Sequence, residues 1–292
     1  MALEAGALIA LRQIALSFRT DPVLAALPGG FATRRKGQGL EVADTRAYVH
    51  GDDFRRLDFG TTARTGILHV REFQQEQDRI TLLVADFRPA MLWGIRRAFR
   101  SVAAAETLAI LGWNVVEQGG RVALLAVLPD DVLVVPARGR SRGMLDVIGG
   151  LVEAHSRALQ QVFEGGSKTR FLDSALIRVE RIVPGGSEVV IASSFDHPGD
   201  GLADRLNEIA RRRAPYLISV VDTVEAALPK GRYPIRLLDG TRKTIRRRRV
   251  SSKHAQPDSP IDGWPVLQVD AGQSIETTAA RVAATFPQSY LK

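Results

Sequence analysis

Residues 80–85, Ile-Thr-Leu-Leu-Val-Ala, form a run that is apolar but for one threonine, and the run stops at an acid, Asp86. A continuous apolar segment of this length does not suit a strand with one wet face. It predicts a strand buried on both faces, and such strands belong to parallel sheets with helices on either side. A short loop with Pro89 and Gly94 follows, then an apolar-rich helix to about Leu111. In open α/β sheets, ligands sit just beyond the carboxyl ends of the strands. Asp86 is placed at such an end and is the first candidate functional residue.

The rest of the chain repeats the pattern. RVALLAVL at 121–128 reads as a second buried strand, and 131–138 alternates as an edge strand. A helix is expected from Ser141 to about Leu159, with Leu145, Ile148, Val152 and His155 on its inner face. After the GGSKT loop at 165–169 a further helix runs to about Val183. EVVIASSF at 188–195 is a third apolar strand ending in Ser193-Ser194. A helix over 201–213 and a strand over 215–222 complete the alternation. Strands and helices in this order describe an α/β fold, a doubly wound, mostly parallel sheet with helices on both faces. No G-x-G-x-x-G follows the first strand, which argues against a dinucleotide site. From Pro229 the character changes. Asp239-Gly240 lies between strand-like runs and predicts a C-terminal β-hairpin. A polar linker over 251–260 leads to a last strand, Trp264 to Val269, and a helix, Ser274 to Phe286, that extend the same sheet. Three segments result: 1–75, an N-terminal helix and a charged stretch; 76–228, the α/β domain; and 229–292, hairpin, linker and final strand-helix.

Leu8, Leu11, Ala15 and Phe18 share one helical face, so the N-terminal helix is expected to dock on the core. The apolar stretch around it contains Arg12 and Gln13 and is too short to span a bilayer. It also lacks the basic start and cleavage site of a signal peptide. The chain has no cysteine, which removes disulfides and thiol chemistry and fits a reducing, cytoplasmic location. The basic loop RRKGQG at 34–39 lacks P-loop spacing. A net charge of +8 suits acidic partners.

The densest polar stretch is 48–72, where Asp52, Asp53 and Asp58 lie among Arg55, Arg56, Arg64 and Arg71. A charge-paired network around a turn at Gly51 is expected, with Asp52 or Asp53 capping a short helix. Three acids could instead hold a hard cation. The neighbouring arginines make mutual neutralisation the stronger expectation. His50 and His69 have no partner at ligand spacing. A second basic group comprises Arg211 to Arg213, Arg242, Lys243, Arg246, Arg247, Arg248 and Arg249. It suits phosphate contacts of a nucleic acid. No aromatic residue interleaves with it, so base stacking has no support. Ser193 lacks the G-x-S-x-G elbow and no histidine stands at a base's spacing, so no enzyme is expected.

The segment Gly37 to Asp58 has the pattern G-x-G-L-E-x-A-D-x-R-x-Y-x-x-G-D-D-x-R-x-L-D. TARTG at 62–66, HVREF at 69–73, the strand ending at Asp86, Gly120-Arg121-Val122 and LPKGRYPI at 228–235 follow in order. Together they resemble the domain-of-unknown-function fifty-eight family over about residues 30 to 245. The resemblance implies a von Willebrand factor A-like domain with strand order 3-2-1-4-5-6. It also implies a non-catalytic adaptor acting with a MoxR-type AAA+ ATPase in protein assembly or remodelling. That fold often holds Mg²⁺ at a metal-ion-dependent adhesion site: Asp-x-Ser-x-Ser after the first strand, a threonine from a later loop and an aspartate after the fourth strand. Here Asp86 is kept, Arg88 and Ala90 replace the serines, Ser194 replaces the second acid, and Thr169 or Ser167 would supply the hydroxyl. The expectation is a degenerate site in which Arg88 takes the cation's place, Mg²⁺ binding is lost, and no cofactor is bound. Partner contact would then run through Arg88 and Trp93, the composition of an interface anchor.

Overall fold

The computed structural model describes residues 2–17, 41–50, 52–74, 79–95, 97–164, 170–223, 231–236, 242–247, 261 and 263–285. They fall into two compact units: residues 26–78, and the remainder of the chain.

Helix α1 (Ala5–Ser17) opens the larger unit. In the smaller unit, β1 (Glu41–Ala47) pairs antiparallel with β2 (His69–Gln74). Between them stand a 3-10 turn (Phe54–Arg56) and the short helix α2 (Phe59–Thr65). Asp53 and Asp58 cap these two turns, accepting from Arg55 N and Thr61 N. Gly66, with φ of 70°, closes α2 in the left-handed region that glycine adopts without strain.

The larger unit continues with β3 (Ile80–Asp86), a 3-10 turn (Pro89–Met91), α3 (Arg100–Glu117), β4 (Arg121–Val127) and β5 (Val132–Gly139). Then come α4 (Arg140–Phe163), α5 (Leu172–Leu176), α6 (Val179–Ile182), β6 (Glu188–Ser193), α7 (Leu202–Ala210) and β7 (Ala214–Val221). Strands β8 (Gly231–Arg236) and β9 (Arg242–Arg247) pair antiparallel as a separate sheet. Strand β10 (Val266–Asp270) and helix α8 (Ile275–Thr285) end the described chain. The main sheet has the order β10-β7-β6-β3-β4-β5. Every pairing in it is parallel except β4 with β5.

The central strand shows why its sequence has no polar face. Leu83 and Ala85 enter one apolar cluster, built with α1, α3, α4 and α8. Leu82 and Val84 enter the other, built with α5, α6 and α7. Both sides of the pleat meet helices, so both must be apolar. Helix α3 is buried along most of its length. At Gly112 an added Cβ would lie 2.5 Å from Met144 Sδ, so the small residue permits the close approach of α3 and α4. Helix α1 lies on α3, with Leu8, Leu11 and Ala15 buried and Leu8 O accepting from Trp113 Nε1 at 3.1 Å. It belongs with the sheet and not with the charged segment that follows it in sequence.

The structure shifts several expectations. The inner face of α4 is Met144, Val147, Ile148, Leu151, Ala154 and His155. Leu145 is 45% exposed and Val152 half-buried, because the helix starts at Arg140 and its apolar stripe includes small and sulfur-containing residues. The single helix expected up to Val183 is two short ones, α5 and α6. The helix expected over 201–213 ends at Ala210. Phe18, the 34–39 loop, the turn at Gly51, Ser167, Thr169, Asp239-Gly240 and the 251–260 linker lie outside the described residues. Among the described residues, no helix is long and apolar enough to cross a membrane.

Candidate site at the carboxyl edge of the sheet

Asp86 ends β3 in the middle of the sheet and is fully buried. Its carboxylate is surrounded by donors from its own chain. Oδ1 accepts from Arg88 N at 2.9 Å and Arg88 Nε at 3.0 Å. Oδ2 accepts from the Arg88 terminal nitrogen at 2.7 Å and Ser193 Oγ at 2.6 Å. The guanidinium grips the carboxylate in the two-pronged manner that gives strong, oriented ion pairs. Its other terminal nitrogen donates to His197 O at 2.8 Å. Ser193 Oγ also accepts from Phe195 N at 3.0 Å, so its hydroxyl is held between β6 and the loop after it.

That loop is bent to fit. Phe195 and His197 have φ of 56° and 52° without being glycine. Residues held there cost of order 1–3 kcal/mol each and persist only where the surroundings impose the conformation. Here the turn delivers the His197 carbonyl to Arg88. Between the two bent residues, Asp196 pairs with Arg100 at 3.0 Å, and Arg100 lies 4.7 Å from the centre of the Trp93 ring.

The loop after β3 is fastened to three more strand ends. Ser194 N contacts Met91 Sδ at 3.1 Å beyond β6. Ile95 N donates to Asp222 at 2.8 Å beyond β7. Arg97 donates to Ala271 O at 3.2 Å beyond β10 and grips Glu106 of α3 at 2.7 and 3.0 Å. Gly94 allows the loop to turn, since a Cβ there would stand 2.0 Å from Ala98 O. Asp270, at the end of β10, is handled like Asp86. Burial pushes its pKa up, but donors from Thr223 and Gly272 outweigh this and hold it below the usual carboxylate range.

These residues do not fit a Mg²⁺ ion. The ion wants near-octahedral oxygen ligands, several of them water. Both oxygens of Asp86 are already taken, a fixed cation lies against them, Ala90 offers no ligand atom, and Ser194 carries no charge. Among the described residues no group of three or more acids or histidines could hold a metal.

The structure also separates residues that the sequence grouped. Arg88 is only 2% exposed, so it is not available as a surface contact; its charge is turned inward on Asp86. Trp93 is half-buried beside Arg100. In the smaller unit Asp52 is gripped by Arg46, at 2.6 and 2.7 Å, an arginine outside the expected network. That bond and Val49 N lower the Asp52 pKa to about 2. Arg55 and Arg64 are exposed, and Asp53 serves the backbone of Arg55. The backbones of Arg242, Lys243, Arg246 and Arg247 lie in β9, and Arg248 and Arg249 lie outside the described residues. His155 is buried against Ser101 Oγ at 3.2 Å and the edge of Phe87, and its pKa falls to about 4, chiefly because burial disfavours the charged form. Arg100, Asp196, Arg46 and Asp222 carried no sequence signal as site residues, and Ser193, weighed in the sequence only as a nucleophile, instead donates to Asp86.

Comparison with known proteins gives a family and two relatives. The model described as "Protein of unknown function DUF58" matches residues 44–255. Uncharacterized proteins Mb1516 of Mycobacterium bovis and Rv1480 of Mycobacterium tuberculosis are each 31% identical over 199 residues. The match takes in 66% of this chain and 58% of theirs, so the aligned part spans little more than half the length of these relatives.

Proposed function

This chain belongs to the DUF58 family, and we propose that it serves there as a non-catalytic protein-interaction module of von Willebrand factor A-like fold. Read from its antiparallel edge, the sheet runs β5, β4, β3, β6, β7, β10. Numbered within the domain that is 3-2-1-4-5-6, the order of that fold, which supports the reading. The observation that carries it is the Asp86–Arg88 pair, with a guanidinium against the carboxylate where that fold places a metal. An adhesion site closed this way recognises partners through its fixed surface and not through a bridging ion. The partner proposed is a MoxR-type AAA+ ATPase, with the pair acting in the assembly or remodelling of other proteins. A cytoplasmic setting, which suits a chain without cysteine, is part of the proposal.

The test is affinity capture of the tagged full chain from nuclease-treated native lysate, with ATP and with ADP, read by mass spectrometry. The expected result is one MoxR-type ATPase enriched in one nucleotide state, and the complex re-forming from the two purified proteins. No such ATPase in either state sinks the reading.

A second reading, nucleic-acid binding, is favoured by one observation. The register sets Arg232 opposite Arg246 and Arg236 opposite Arg242, pairing arginine with arginine across the β8–β9 ribbon. Like charges at opposed positions destabilise a ribbon, and a bound anion removes the cost. Recovery of nucleic acid with the chain, lost after Arg232→Glu with Arg246→Glu, would move this reading to first place.

A further inference from the structure

The amino edge of the main sheet differs from the carboxyl edge in that arginines around it are exposed and, among the described residues, unpaired. Strands β3, β4, β6 and β7 begin there and β5 ends there. Backbone contacts tie the edge together. Arg121 N donates to Arg79 O at 2.7 Å, and Gly186 N donates to Arg212 O at 2.7 Å. Arg213 is pinned by bonds to Val183 O at 2.7 and 3.1 Å, which sets the end of α7 beside the end of α6. Around this edge, Arg140 and Arg142 come from the β5–α4 turn, Arg178 and Arg181 from α6, and Arg211 and Arg212 from the end of α7. All six are exposed, and none has a side-chain hydrogen bond or ion pair among the described residues. On the carboxyl edge, by contrast, Arg88, Arg97 and Arg100 are all paired internally.

The edge is not a plain cationic surface. A cleft of about 650 Å³ is lined by Glu180, Gly185, Glu208 and Arg211 to Arg213. Glu208 also pairs with Arg205. Two large apolar side chains stand near the arginines: Ile177, 52% exposed, beside Arg178, and Leu145, 45% exposed, one turn beyond Arg142. Arg140 is held at φ of 60°, a left-handed conformation uncommon outside glycine.

We propose that this edge is the docking surface for an acidic segment of a partner protein. Unpaired guanidinia offer planar, two-pronged donors that match carboxylates. Arginine and exposed apolar residues together have the composition of a protein interface. Glu180 and Glu208 would repel a continuous line of phosphates, whereas a protein segment can place a neutral or basic residue against them. None of the described residues lining the cleft is aromatic, so they offer no ring to stack on a base. The inference rests on the chain being an interaction module, but its test uses no ATPase, so the two can fail separately.

The experiment measures fluorescence anisotropy of a labelled peptide of glutamates interspersed with leucines, titrated with the full chain at low and at physiological salt. Duplex DNA of similar charge is titrated in parallel. The variant Arg181→Glu/Arg211→Glu/Arg212→Glu alters only exposed side chains without partners, so it should fold, with its thermal midpoint lowered by no more than a few degrees because acids now stand at the negative ends of α6 and α7. Peptide affinity should fall about tenfold or more in this variant, which is about 1.4 kcal/mol. A control, Arg64→Glu/Lys243→Glu, should leave it unchanged. Three results overturn the proposal: no saturable peptide binding, binding undiminished by the triple reversal, or tighter binding of duplex DNA through the same arginines.

Discussion

Removing one member of the Asp86–Arg88 pair should be far more damaging than removing both. In Arg88→Met the apolar stem is approximately kept, but Asp86 loses the two guanidinium bonds at 2.7 and 3.0 Å and remains fully buried. Charge-assisted bonds contribute about 1.5–3 kcal/mol each. Stranding one charge of a buried pair costs about 3–5 kcal/mol. Both routes lead to about 4 kcal/mol, a large part of the roughly 5–15 kcal/mol by which a domain is stable. In the double variant Asp86→Asn/Arg88→Met no charge remains to be stranded. The amide oxygen introduced at position 86 can still accept from Ser193 Oγ and from the backbone of residue 88. Most of the loss should return, leaving a coupling of about 2–3 kcal/mol between the sites. Urea unfolding followed by tryptophan fluorescence measures this as midpoint shifts at unchanged slope. The reasoning is refuted if Arg88→Met unfolds within about 1 kcal/mol of the parent, or if the double variant loses the sum of the single losses.

Further outcomes are expected. His155 has its pKa depressed to about 4 in the fold against 6.5 in the unfolded chain, so the unfolded state binds the proton first and stability falls as pH drops through that window. The loss amounts to about 3 kcal/mol by pH 4, and it should vanish in His155→Gln when unfolding midpoints are compared at several pH values; parallel curves would contradict it. His197→Gly keeps the carbonyl that serves Arg88 and relieves the φ of 52°, so the thermal midpoint should rise, by the equivalent of about 0.5–1 kcal/mol. Calorimetry should give no Mg²⁺ binding heat for the parent, and saturable heat for Arg88→Ser/Ala90→Ser/Ser194→Asp. A silent triple variant that is still folded would count against the adhesion-site origin of this edge.

Much of the fold was legible because burial on two sides leaves an unmistakable trace. The runs at β3, β4 and β6 are continuous for the reason that both faces meet helices, and β5 alternates because it is an antiparallel edge strand. The acid at the end of β3 was placed by the same logic. What sequence could not carry was direction. An arginine two residues from an aspartate suggested both a pair with that acid and a contact with a partner, and it is the burial of Arg88, with its bonds to Asp86 and to the carbonyl of His197, 109 residues away, that shows it turned inward. The grip of Arg46 on Asp52 was hidden for a similar reason: it closes across a turn, and spacing alone does not show which arginine reaches the acid. The phase of α4 was half legible: Ile148 and His155 face inward as expected, but Met144, Gly143 and Gly150 fill the rest of that face, where Leu145 looked the better candidate. The left-handed Phe195 gave no sign at all, and His197 only a weak one, histidine being among the few non-glycine types enriched in that region.

The seat of α1 has a consequence for how the chain is made. Its apolar stripe closes over α3, and the bond from Trp113 to Leu8 joins residues 105 apart. During synthesis at about 5–20 residues per second, the helix therefore leaves the ribosome roughly 5–20 s before the surface that shelters it exists. Over that interval Leu8 and Leu11 face water or a chaperone, and α1 finds its place only after α3 has been made. A chain cut to start at the Gly37 signature would escape that wait, but it would leave the outer face of α3, Trp113 included, permanently bare.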